Sequence, residues 1–236
     1  MIMKKILFVL FVFGGILQSN ITSAQSADSI NFISVDVQKN MAIHQLAMQF
    51  NDLPVARMAL YNLLFFSNNQ SAILDSLAFM YYNSNQMPSV ALVTKENLKI
   101  NPDNQQALEL GAIALNQLGA KDLALDNYEK LFLKNNDSRT LYQVAFMQFE
   151  LKRFTESKTS TDILLKRTDI DELKMRFNKL DKTQQEVSMR AALLNLKGLL
   201  VQNDGDDQKA KELFLEALKV APGFEQAQLN LSEIGK

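Results

Sequence analysis

QKAKELFLEALKVAPGF, residues 208–224, sets Ala210 and Ala217 four and three residues either side of Phe214, with Pro222 five residues beyond Ala217. At 3.6 residues per turn the three side chains share one helix face, ordered small, large, small. Pro222 cannot continue the helix. Small side chains let a second helix approach closely, and the ring between them fills the seam. Such a face is half of a contact, so the decisive question is whether the pattern recurs.

It recurs in a 34-residue frame. Residues 191–224 carry Leu194, Gly198, Ala210, Phe214, Ala217 and Pro222, with Ala210 expected to lie opposite Gly198. Residues 105–138 carry Leu118-Gly119, Ala124, Tyr128 and Leu131, with Asn136 at the place of the proline. Residues 71–104 carry Leu74, Leu77, Ala78, Tyr81, Val90 and Pro102. Weaker copies occupy 37–70 (Ala56, Leu60, Leu63) and 138–171 (Leu141, Val144, Ala145, Phe154, Ser157, Leu164), the last with a one-residue slip. A fixed period of this length is the signature of a stacked-repeat architecture.

The frame resembles the tetratricopeptide repeat, a helix-turn-helix unit with small residues at positions 8, 20 and 27, an aromatic at 24 and proline at 32. The resemblance implies an all-α solenoid of about five helix pairs plus a C-terminal capping helix. Ala78, Gly198, Ala210, Phe214, Ala217 and Pro222 become the repeat-packing residues. Four units fill 37–171, and a final unit with the capping helix fills 191–236. Two departures stand out: His44 where a small residue belongs, and Thr161 where the aromatic belongs. The charged insert 172–190 reads as helix, with capping-box-like starts at Thr168–Asp171 and at Thr183/Glu186. It is expected to split the solenoid into sub-stacks 37–171 and 182–236.

The chain opens with Lys4-Lys5, an apolar run from Ile6 to Leu17 and a small-residue end at Thr22-Ser23-Ala24. That is the order of a cleaved signal peptide over 1–24, followed by a flexible segment 25–36. The run is shorter than the ~20 residues a membrane-spanning helix needs, so no span is expected after cleavage. The expected destination is the bacterial periplasm.

Composition removes most chemistry. With 25 Lys and Arg against 26 Asp and Glu, no basic surplus is available for nucleic acid. The absence of cysteine excludes thiolate zinc sites and cysteine nucleophiles, and the single His44 excludes a two-imidazole site. The acidic loop NDGDD, 203–207, lacks the alternating ligands of a calcium loop, and Phe214 falls at its twelfth place. No phosphate-cradling or nucleophile motif is present. The reading is therefore of a non-enzymatic protein with no catalytic residue, no metal site and no cofactor.

In the resembled family the first helices of each pair line a concave groove. By position, that implies partner contacts from Met41, Gln45 and Met48, from Phe79, Tyr82 and Asn83, from Ile113 and Asn116, and from Tyr142, Phe146 and Phe149. The set is aromatic, sulfur-bearing and amide-rich and holds no lysine. A peptide held by aromatic anchors fits it better than a clamped terminal carboxylate. Phe146 and Phe149 packing on the insert helix remains the alternative. The functional expectation is a protein-binding scaffold of the cell envelope. Its rival is a structural subunit of an envelope complex that uses the convex face or the C-terminal helix.

Overall fold

The computed structural model describes the backbone of residues 24–235 and the side-chain surroundings of 35–235. The signal-peptide segment lies, apart from Ala24, outside the described residues. Among the described residues eleven α-helices follow one another: α1 (Ala24–Gln49), α2 (Leu53–Phe66), α3 (Gln70–Asn83), α4 (Met87–Ile100), α5 (Gln105–Gln117), α6 (Lys121–Asn135), α7 (Ser138–Glu150), α8 (Phe154–Leu165), α9 (Met189–Asn203), α10 (Asp207–Val220) and α11 (Glu225–Glu233). Each odd helix packs antiparallel on the next even one, and each pair packs on its successor. The all-α solenoid of five pairs and a closing helix is what the 34-residue frame requires. No helix among the described residues is long and apolar enough to cross a membrane.

Local chemistry places the helix ends. Asn104, Asp137, Ser188 and Asp206 accept the backbone N–H of the residue three positions on, at 2.9–3.3 Å, which satisfies a first-turn donor of α5, α7, α9 and α10. Pro54 and Pro88 sit in the first turns of α2 and α4, where no N–H is needed. Asn136 closes α6 in the left-handed conformation, φ 49°, so an asparagine does the helix-stopping that proline does elsewhere in the frame.

Three expectations fail. Residues 25–36 are not a flexible lead: they are the first half of α1. No glycine or proline stands between Gly15 and Pro54 to break that helix. Residues 172–190 are not helical. After a single 3-10 turn at Asp169–Asp171, strands β1 (Lys174–Asn178) and β2 (Gln184–Ser188) form an antiparallel hairpin with Met175 opposite Val187 and Phe177 opposite Gln185. Met175 and Phe177 turn inward while Lys174, Arg176 and Asn178 face water, a period of two that outweighs the segment's helix-tolerant composition. Neither proposed capping box exists. Asp181 instead accepts from the Thr183 amide at 2.9 Å in the hairpin turn, and Glu186 pairs across the strands with Arg176 at 3.0 Å.

Nor does the insert divide the stack. α8 packs directly on α9, bridged by Lys197–Asp162 at 2.8 Å and Lys158–Asp204 at 2.6 Å. One buried cluster runs from Leu108 to Ala227. The hairpin is an excursion that folds back onto the last unit. The Phe177 and Phe224 rings lie 4.9 Å apart, the Leu180 amide donates to Glu225 at 2.7 Å, and the Gln185 side chain meets the Gly223 carbonyl and the Glu225 amide.

Candidate functional site

The repeat-packing residues set the shape of the surface. Ala78, Ala210, Phe214 and Ala217 are buried, and Pro222 is exposed beyond the end of α10. Gly198 faces the ring of Phe214 rather than Ala210: a β-carbon there would fall 2.7 Å from Cδ1 of that ring and closer still to Cε1. The small residue at position 8 thus receives the aromatic at position 24 of its own unit.

Where the frame departs from the pattern, polar contacts replace packing. His44 is half-buried, its Nδ1 3.0 Å from the Ala56 carbonyl, so it links α1 to α2. Asn97, at a position where the pattern wants alanine, is fully buried. It donates to Asp75 at 2.7 Å and accepts from Ser71 at 2.7 Å. Asn104 also donates to Asp75, at 2.8 Å, and Gln106 donates to the Asp75 carbonyl, tying α3 to α5. Burial pushes the Asp75 carboxyl above its ordinary value, against the pull of the Asn104 and Asn97 hydrogen bonds. Sequence reading missed this network, whose only signal was a polar Asn97 where the repeat places a small residue. Thr161 is buried with an unpartnered hydroxyl beside a cavity of about 110 Å³ between α8 and α9.

The expected partner-binding residues divide along the chain. On α1 and α3, Met41, Gln45, Met48, Phe79 (40% exposed) and Asn83 reach the surface, and Tyr82 is half-buried. α3 packs on α5, which adds half-buried Ile113 and exposed Asn116 to the same first-helix series. On α7 the expectation fails for Tyr142, which is 5% exposed and part of the main core. Its ring lies parallel to that of Phe146 at 6.4 Å, and burial pushes its phenol far above the usual range. Phe146 and Phe149 are half-buried against that core, as are Met175 and Phe177 of the hairpin, and Phe149 meets Phe154 at 5.7 Å. A residue's place in the repeat shows which helix face it occupies. It does not show that a fifth unit continues the core beneath α7.

The acids of the 203–207 loop have structural work: Asp206 caps α10 and Asp204 pairs with Lys158. Among the described residues no group of three His, Asp or Glu side chains is arranged to hold a metal ion.

No family model matches the sequence, and no curated protein matches it in sequence. Solved structures do match the fold. YrrB, a TPR protein with an unusual peptide-binding site, aligns with a TM-score of 0.66 and 14% identity over 86% of this chain and 95% of its own. MamA from Desulfovibrio magneticus aligns at 0.58 and 14% over 80% and 97%, and PilF of Pseudomonas aeruginosa at 0.54 and 14% over 84% and 82%. At such identities the likeness concerns architecture: this chain has the tetratricopeptide-repeat fold.

Proposed function

We propose that the chain is an exported, non-enzymatic interaction scaffold of the bacterial envelope that holds a protein or peptide segment across the first helices of units one to three. The observation that carries this reading is the side-chain set those helices leave at the surface. Met41, Met48 and Phe79 are exposed, with the amides of Gln45, Asn83 and Asn116 between them. Exposed aromatic and thioether groups spaced by amides supply apolar anchors and hydrogen bonds for an extended backbone. A peptide-binding site in a structural neighbour of the same fold supports the choice of ligand class.

Selection of a displayed random-peptide library on the purified protein tests the reading. Peptides so recovered are expected to lose about thirtyfold in affinity, roughly 2 kcal/mol, on Phe79→Ala or Tyr82→Ala. Leu133→Ala, on the outer face of α6, should leave them unaffected. Equal affinities for all variants would contradict the assignment.

A further inference from the structure

The outer faces of the second helices differ between units in one respect. At frame positions 19, 22, 26 and 29, α4 presents Ser89, Leu92, Glu96 and Lys99, and α6 presents Leu123, Asp126, Lys130 and Leu133. α8 presents Glu156, Thr159, Ile163 and Lys166, and α10 presents Lys209, Glu212, Glu216 and Lys219. α2 alone carries no charge at these positions: they are Val55, Met58, Asn62 and Phe65. Met58 is 61% and Phe65 84% exposed. The opposite face of α2, Ala56, Ala59, Leu60 and Leu63, is buried in the stack, so this helix is apolar nearly all round. A helix of that kind is ordinarily covered on both sides.

We propose that this stripe pairs with the same stripe of a second copy, joining two chains head to head through antiparallel α2 helices. Three observations select that occupant. The spacing 55, 58, 62, 65 runs three, four, three, the seam period of paired helices. An uncharged stripe is complementary to itself, whereas an acidic or basic partner would leave its charges unmatched. An anionic lipid surface would call for surrounding cations, yet Arg57 is the single basic residue of α2, and its guanidinium lies 5.5 Å from the Tyr81 ring centre.

The two ends of the solenoid also differ. α11 closes the C-terminal end with Gln226, Gln228, Ser232 and Glu233 outward, as a polar cap should. The first helix pair, α1 and α2 with the turn between them, exposes ten of the twenty large apolar side chains left open among the described residues. Head-to-tail growth would set that apolar surface against a polar cap, whereas head-to-head pairing satisfies it and closes. Phe50, Val55, Met58, Tyr61, Phe65 and Phe66 together leave on the order of 700 Å² open, close to the ~800 Å² per partner that a stable interface covers.

The test is the mass in solution of the protein isolated from its own host, by light scattering during gel filtration. A particle of twice the chain mass is expected, and Met58→Glu with Phe65→Glu should weaken its self-association at least about thirtyfold. Leu133→Glu, at an equivalent exposed position of α6, should leave it intact. The chain has no cysteine, so single replacements report proximity cleanly. Asn62→Cys should form a disulfide-linked dimer on mild oxidation and Leu133→Cys should not, a readout that stands even if the double glutamate variant fails to fold. A monomeric wild-type protein would overturn the proposal, whether a masking N-terminal segment or a different partner is the cause. So would a dimer that neither the glutamates nor the cysteine detects.

Discussion

Gly198 and Phe214 share one space: the ring occupies the volume that a β-carbon at residue 198 would need. The aromatic sits fully buried and the glycine lies in the interior of α9, where glycine otherwise costs about 0.5–1 kcal/mol relative to alanine. The close approach of α9 and α10 offsets that cost. Gly198→Ala is therefore expected to destabilise by about 1–3 kcal/mol through overpacking, despite its better helix propensity. Gly223→Ala has open space around it and an ordinary φ, and should be neutral or slightly stabilising. Urea denaturation of the two variants gives the comparison. A stabilised Gly198→Ala would show that the seam is looser than described.

The half-buried Asp75 predicts a pH dependence. Its folded-state carboxyl is raised above the ordinary 3.8 by desolvation. The fold therefore favours the protonated acid, and that stabilisation is complete below the unfolded value and disappears as pH rises through the folded one. Asp75→Asn removes the titration and keeps an acceptor for Asn97 or Asn104. Its stability relative to wild type should improve as pH rises above 3.8 and level off once the folded-state carboxyl has ionised, as read by denaturant melts across pH. A difference that is flat with pH would contradict the account.

Tyr142 and Phe79 should behave oppositely, although the repeat frame treats both as groove residues. Tyr142 belongs to the core, so Tyr142→Ala should cost about 3–5 kcal/mol, the range for buried aromatics. Phe79→Ala removes a side chain that is 40% exposed and should cost well under half as much. Thermal melts of both settle the order.

The hairpin's hold on the C-terminal end is testable through Phe177. Its ring contact with Phe224 is worth about 0.5–1.5 kcal/mol beyond area burial. Phe177→Ala should raise amide exchange in α11, which leans on Phe224 and Glu225, before it affects α3 or α4. Exchange unchanged in α11 would show that the hairpin is a bystander.

The proposal of export makes a chemical prediction at the chain's start. The Lys4-Lys5, apolar and small-residue order implies cleavage after Ala24. Mass spectrometry of the native protein should find Gln25, or its cyclised form, at the N-terminus. An intact Met1 would refute the export reading.

How far the sequence discloses all this depends on what repeats. The helix pairs were legible because small and large apolar residues at helical spacing recur in a 34-residue frame, and every recurrence constrains a neighbour. The hairpin occurs once, so only its local period of two, Met175 and Phe177 among charged residues, announced it. Charge composition masked that signal. The Asp75–Asn97–Asn104 network was opaque because it joins side chains up to 29 residues apart that share no motif. Burial of Tyr142 escaped notice because a frame assigns faces and cannot supply the neighbours that later cover them.

The central claim is that a segment of another protein lies across α1, α3 and α5. Amide hydrogen exchange with and without a selected peptide measures this directly. The account predicts slowed exchange concentrated in α1, α3 and α5 around Met48, Phe79 and Ile113, with α4, α6 and the hairpin unchanged. Protection confined to α4 and α6, or to the hairpin and α11, would contradict it.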